Sequence, residues 1–294
     1  MAAAMAAYNA MPDTSGTGAY PALKEEVAGL PAHTIYRPQD LAAAGDKLGV
    51  LGWGNGGCAD DGASQRLHLA ELASHGYVVV APGAIKSGPG APPQPAPEAP
   101  PPGPPRLIAN TTAEQVMQGI EWVLAENARE GSPYYQRIDP AQVAVAGFSC
   151  GGLQAIQLAG DPRIHAVVVQ NSGVFKDGTQ GMENLVVTKD MLNAFHTPVL
   201  YLDGGPSDIA YENGMDDYER INHVPIAMIN QDTGHGGTYL EPNGGANAQV
   251  VVRWLNWQLR GDTEAGSWFV GDDCLLCADD KWTVERKNFP ATLD

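Results

Sequence analysis

The hydrophobic positions of this chain fall into short unbroken runs set between stretches of helical spacing. Lys47-Leu-Gly-Val-Leu-Gly-Trp, Tyr77-Val-Val-Val-Ala, Val143 to Ala146, Ala166-Val-Val-Val-Gln-Asn, Pro198-Val-Leu-Tyr-Leu-Asp and Pro225-Ile-Ala-Met-Ile-Asn carry no charge in their interiors. Runs of that length and character predict strands buried on both faces. His33-Thr-Ile-Tyr-Arg-Pro predicts an earlier, antiparallel strand. Ala63 to Ser74 has helical spacing, with Leu67, Ala70 and Leu72 turned inward and Gly76 as a stop. Thr111-Thr-Ala-Glu reads as a capping box opening a helix through Met117, Ile120 and Trp122-Val-Leu to Ala128. Ala248 to Leu259 is a closing helix with Val251, Trp254, Leu255 and Leu259 on its apolar side. Strands alternating with helices predict an α/β fold, a mostly parallel sheet covered on both faces. No repeat and no domain boundary stands out, so residues 21–294 are expected to form one domain.

Three segments break the pattern. Residues 1–20 are Ala- and Gly-rich and read as a flexible leader, followed by an amphiphilic patch from Ala22 to Leu30. Between Pro89 and Pro105, ten of seventeen residues are proline, which excludes helix and central strand. The stretch 86–105 is therefore an extended surface loop, either a solvated linker or a rim over the site. The polar C-terminal tail carries Cys274-x-x-Cys277.

Composition narrows the function classes. A net charge of −17 argues against nucleic acid or an anionic membrane as partner. No apolar run approaches the ~18 residues of a membrane span. The N-terminus shows no basic region followed by a long apolar run, so no signal peptide is visible, and a mature secreted or periplasmic form is expected from the acidic balance and the cysteines. Cys274 and Cys277 have no second pair of ligands nearby for zinc and do not open a helix after a strand as a redox pair should. A local structural disulfide is the preferred reading.

Candidate chemistry centres on Gly147-Phe-Ser-Cys-Gly151, which joins an apolar strand to a helical run. A serine on a tight strand-to-helix turn needs glycines where the chain passes close to itself, and the helix start offers free N–H groups to a developing oxyanion. Ser149 is the candidate nucleophile. Of seven histidines, only His235, in Asp232-Thr-Gly-His-Gly-Gly-Thr, closely follows a strand at the carboxyl edge of the sheet, and it is the candidate base. The orienting acid is sought in Asp203-Gly-Gly-Pro-Ser-Asp208; Asp208, past the turn, is preferred to Asp203. One oxyanion donor is the backbone N–H of Cys150. The other is expected from Gly52-Trp-Gly-Asn-Gly-Gly57, where Trp53 and Asn55 remain alternatives and Asn55 is preferred; Trp53 would otherwise form an aromatic wall or simply pack. Cys58 follows this loop and Cys150 follows the nucleophile, so the two are either a disulfide pinning the oxyanion hole or two buried thiols.

Gly-Phe-Ser-Cys-Gly, the glycine-rich loop after an early strand, Gly-Gly-Pro-Ser-Asp and Gly-His-Gly-Gly-Thr together resemble the α/β-hydrolase superfamily over roughly residues 33–262. Within it the chain is similar to the esterase branch near dienelactone hydrolases, cutinase-like polyesterases and platelet-activating-factor acetylhydrolases. The resemblance implies about eight strands, hydrolysis through an acyl-enzyme, no cofactor and no metal. Cys150 and the proline-rich stretch depart from the usual polyesterase pattern. The expected substrate is a small or polymeric ester with a short-chain, aryl or polyester-type acyl group. Rival expectations are an acyltransferase or lyase using the same three residues, and a binding protein on the same scaffold.

Overall fold

The computed structural model describes residues 2–45, 47–93, 108–176, 182–271 and 273–290. Most of the proline-rich stretch lies outside the described residues, and with it the question of a rim over the site. The strands in chain order are β1 (Ala22–Glu25), β2 (His33–Pro38), β3 (Leu48–Gly54), β4 (Tyr77–Pro82), β5 (Ile138–Phe148), β6 (Ala166–Gln170), β7 (Val199–Asp203), β8 (Ile226–Gln231) and β9 (Trp282–Lys287). They form one sheet in the order β1-β2-β4-β3-β5-β6-β7-β8-β9. Pairing is parallel from β4 through β8 and antiparallel at the edges, for β1 with β2, β2 with β4, and β8 with β9.

Eight helices join them: α1 (Ala2–Ala10), α2 (Arg66–Ser74), α3 (Ala113–Ala128), α4 (Cys150–Leu158), α5 (Tyr211–Arg220), α6 (Gly245–Arg260), α7 (Thr263–Gly266) and α8 (Leu275–Ala278), all among the described residues. The two-residue period of a strand divides the core cleanly. Val50, Val78, Val80, Val143, Val145 and Val199 face a layer with Val116 and Ile120 of α3 and Leu153 and Ile156 of α4. Their neighbours Leu51, Val79, Ala144, Ala146 and Leu200 face the opposite layer, with Leu69 and Leu72 of α2 and Val251, Trp254 and Leu255 of α6. Both faces of the central strands are thus buried, which is why the sequence there is continuously apolar. Each fully buried aliphatic side chain contributes about 1.5–3 kcal/mol. Gly49 and Gly52 in β3 are needed for close packing: a Cβ on Gly52 would lie 2.7 Å from Ile120 of α3.

Several expectations change. The sheet has nine strands, not about eight. The first part of the amphiphilic patch is the edge strand β1, and the polar tail supplies the other edge, β9. Residues 2–20 do not form a loose leader. α1 packs Tyr8 at 1% exposure, and Asp13 and Thr17 bond to Arg66 and Glu71 of α2. The capping box of α3 is one residue further on: Thr112 accepts from the Gln115 N–H, and the Gln115 side chain accepts from the Thr112 N–H. Gln, not Glu114, closes the box because the N-cap is the second threonine.

Candidate active site

The carboxyl ends of β5, β7 and β8 meet at one edge of the sheet, and the loops beyond them carry Ser149, Asp208 and His235. Ser149 sits between β5 and α4 with φ 55° and ψ −120°, a backbone conformation costly for a residue with a Cβ. The turn is held by its neighbours. The Ser149 N–H donates to the Gln170 carbonyl at 2.9 Å, and the Ser172 hydroxyl donates to the Ser149 carbonyl at 2.7 Å. A Cβ on Gly147 would lie 2.1 Å from the Gly151 oxygen, and one on Gly151 would lie 1.9 Å from the Gly54 oxygen. Only glycine fits at either position, so the spacing of the motif has a steric cause.

Ser149 Oγ lies 2.9 Å from His235 Nε2, and His235 Nδ1 lies 2.7 Å from Asp208 Oδ1. The serine, histidine and acid that the sequence singles out therefore stand in one hydrogen-bonded line. The imidazole also lies near the Phe148 ring, with centroids 5.4 Å apart. Burial alone would raise the Asp208 carboxyl. The bonds from His235, the Ala210 N–H, Asn171 and the Gly204 N–H outweigh it and hold the carboxyl below the usual range. It is an anion at neutral pH, able to stabilise an imidazolium. Asp203 has the opposite character. It ends β7, is 2% exposed, and burial with the Asp208 charge beside it pushes its carboxyl well above the usual range. Its bond is from the Ser172 N–H, not from a histidine.

Other histidines are engaged elsewhere. His33 bonds the Gln115 carbonyl, His75 bonds Glu71, and His223 bonds the Phe195 carbonyl. His68 is fully buried between Trp53 and Tyr239, and burial lowers its imidazole to about 3.

Cys150 is the first residue of α4, so the helix's own bonding leaves its N–H unused. Of the alternatives for Trp53, the structure shows packing. It is paired within β3, opposite Ala146, and its fully buried indole points to Gln65 and His68. Asn55 is the residue just beyond the strand, beside the close contact of Gly54 with Gly151. Its side chain donates to the Ala59 and Pro82 carbonyls at 2.8 and 2.7 Å, fixing the glycine-rich turn. Cys58 and Cys150 form a disulfide with Cα atoms 5.2 Å apart, which ties that turn to the start of α4. The reading as two buried thiols does not hold. Cys274 and Cys277 form the second disulfide.

A pocket of about 150 Å³ opens beside Ser149 and His235, with Leu153, Phe175, Met182 and Ile209 as apolar walls and Asn171, Ser172 and Asn213 as polar ones. Among the described residues no lysine or arginine lines it. Sequence reasoning missed these walls and also Asn171 and Tyr239, which back the acid and the histidine. Asn171-Ser-Gly follows β6 at the same sheet edge, and that position was the available signal. Among the described residues no three His, Cys, Asp or Glu side chains gather as a metal site, and no helix is long and apolar enough to cross a membrane. No protein-family profile matches the chain, and no curated protein matches it.

Proposed function

We propose that the protein is a serine carboxylic-ester hydrolase on an α/β-hydrolase fold. The hydrogen-bonded line from Ser149 through His235 to Asp208, set on a strand–turn–helix elbow, carries this reading. A serine hydroxyl is a weak nucleophile without a base. Here His235 Nε2 takes the Oγ proton as Oγ bonds to the ester carbonyl carbon. The carbonyl oxygen becomes an anion facing the N–H of Cys150 and that of the Asn55 turn. Asp208 keeps the imidazole oriented and balances its positive charge. The tetrahedral intermediate collapses, the C–O bond to the leaving alcohol breaks, and His235 gives that alcohol its proton. Water then repeats the sequence on the acyl-enzyme, releasing the acid and restoring Ser149.

The pocket supports a neutral ester with a short or aryl acyl group. Its walls are largely apolar, its volume is small, and among the described residues it offers no lysine or arginine to a substrate carboxylate. Two disulfides fit a protein working in an oxidising compartment.

The test is hydrolysis of p-nitrophenyl esters from acetate to decanoate, with an added acceptor alcohol in a parallel series. Activity is expected to peak at short chains and to fall by ~10³-fold or more in Ser149→Ala. Activity that survives Ser149→Ala sinks the reading. Ester formation with the added alcohol at the expense of hydrolysis would make the protein an acyltransferase.

A further inference from the structure

We propose that Asn171 is a positioning residue for the line of Ser149, His235 and Asp208: its carboxamide ties the acid's loop to the histidine's loop. This rests on the esterase reading and adds a residue which that reading does not use. Asn171 is the first residue after β6 and is fully buried. Its φ is 45°, in the left-handed region where asparagine is among the few tolerated side chains. Its N–H donates to the Leu202 carbonyl at 2.9 Å, which roots it on β7.

From that root the side chain spans both loops. Nδ2 donates to Asp208 Oδ2 at 2.7 Å and to the Gly234 carbonyl at 3.2 Å. Gly234 immediately precedes His235. A single amide group therefore touches the carboxylate and the chain that carries the imidazole. Asp208 Oδ2 also accepts from the Gly204 N–H at 3.0 Å. With Oδ2 held by two donors, the carboxylate cannot rotate, and Oδ1 stays facing His235 Nδ1. The amide itself has one allowed orientation, because a flip would set its oxygen against two acceptors. At its other end the Tyr239 hydroxyl lies 2.9 Å from Oδ1 and 3.1 Å from Gln170 Oε1, and shares its proton between these acceptors. Tyr239 is itself packed against Phe148 and His68. The chain thus supports its acid from behind with neutral, buried groups that add no charge to the site.

The test uses Asn171→Ala and Tyr239→Phe in the full chain, with two readouts. One is kcat and KM on p-nitrophenyl acetate. The other is the proton NMR resonance of the His235 Nδ1–H, which needs no substrate. Asn171→Ala is expected to lose about 10²-fold in kcat with KM within about threefold, since its fully buried amide holds the acid and the other pocket walls stay in place. Its Nδ1–H resonance should broaden as the bond to Asp208 loosens. Tyr239→Phe should move both readouts the same way by a smaller amount. A purely structural role would lower the melting temperature and leave the resonance of the folded fraction unchanged, and that result overturns the proposal. So does a kcat within about threefold of the parent in Asn171→Ala. If Asn171→Ala does not fold, Tyr239→Phe decides: parental kcat with an unchanged resonance overturns it. A parent silent on every ester, whose resonance still broadens in Asn171→Ala, would sink the esterase reading alone.

Discussion

Asp203 ends β7 and Asp208 lies on the loop beyond it, their carboxyls shift in opposite directions, and the difference is made by what donates to each. Asp208 has the imidazole and three further donors, so it is ionised despite its burial. Asp203 has too few donors to offset burial beside a charged neighbour, so its carboxyl is pushed well above the usual range. Asp208→Asn removes the charge that stabilises the imidazolium and is expected to lower kcat by about 10⁴-fold. Asp203→Asn should leave kcat within about threefold and change stability instead. A carboxyl whose folded pKa is raised contributes its stability below the unfolded value of 3.8 and loses it as pH rises above that. The asparagine carries no such loss. Melting curves of Asp203→Asn and the parent should therefore coincide near pH 3 and separate above about pH 4, with the variant more stable. Coincidence at pH 8 would show that the Asp203 carboxyl is not raised by folding. At this scale the sequence reading was good where chemistry restricts the residue type. Serine in a glycine frame and a histidine after a strand leave little choice. It was poor where a residue acts through its neighbours. Asn171 matters because of where its two amide protons point, and no spacing rule encodes that.

Among the elements, those with one unambiguous period were legible. β3, β4, β6, β7 and β8, and β5 from Val143 on, carry apolar runs because both faces are buried, and α6 carries a clear apolar stripe. β1 and β9 were not legible, and the reason is physical. An edge strand is half exposed, and Trp282–Lys287 alternates partly buried and exposed positions with charged residues that also suit a solvated tail. α5 is mostly polar and packs through Gly214, Asp217 and Tyr218, so few apolar positions mark it. The glycine-rich turn after β3 was legible, and of the alternatives left open for Trp53 the structure shows packing: strand parity turns its indole into the core. The two disulfides act on different scales of chain. The Cys58–Cys150 bridge closes 92 residues of separation, and Cys274–Cys277 only 3. Loop-closure entropy predicts a loss of about 2–4 kcal/mol for the double variant Cys58→Ser with Cys150→Ser, or roughly 4–8 °C in Tm, and a smaller one for the C-terminal pair. The long bridge also ties the glycine-rich turn to the start of α4, where the proposed mechanism places the oxyanion, so kcat should fall with it, while the C-terminal pair should leave kcat unchanged. Thiol titration of the unreduced protein should find none of the four cysteines free; two or more free thiols would count against this pairing.

Across the whole molecule, the N-terminal segment completes the core and does not merely precede it. Arg66 is 1% exposed at the start of α2, and its guanidinium is held by that segment: Asp13 at its Nε, the Tyr8 and Met11 carbonyls at Nη2, and the Tyr8 ring against its plane. Glu71, on the same helix, accepts from the N–H and hydroxyl of Thr17 as well as from His75 and Gln249. Burial opposes its ionisation, but these bonds prevail and hold its carboxyl down at about 2. A chain beginning at residue 19 would leave two buried charges short of partners. Stripping a partner from a buried charge costs about 3–5 kcal/mol, so a Tm loss of roughly 10 °C is expected for a protein of this size. A chain that lacks only residues 1–5 keeps Tyr8, Asp13 and Thr17 and should melt within about 2 °C of the parent. The pH dependence separates this account from general loosening. A carboxyl with a depressed folded pKa contributes its stability above the unfolded value of 4.5 and loses it as pH falls toward 2. Removing the Thr17 bonds weakens that contribution in advance. The Tm gap between the parent and the chain beginning at residue 19 should therefore narrow as pH falls from 4.5 to about 2. A gap that stays constant over that window would assign the loss to Arg66 and Tyr8 alone.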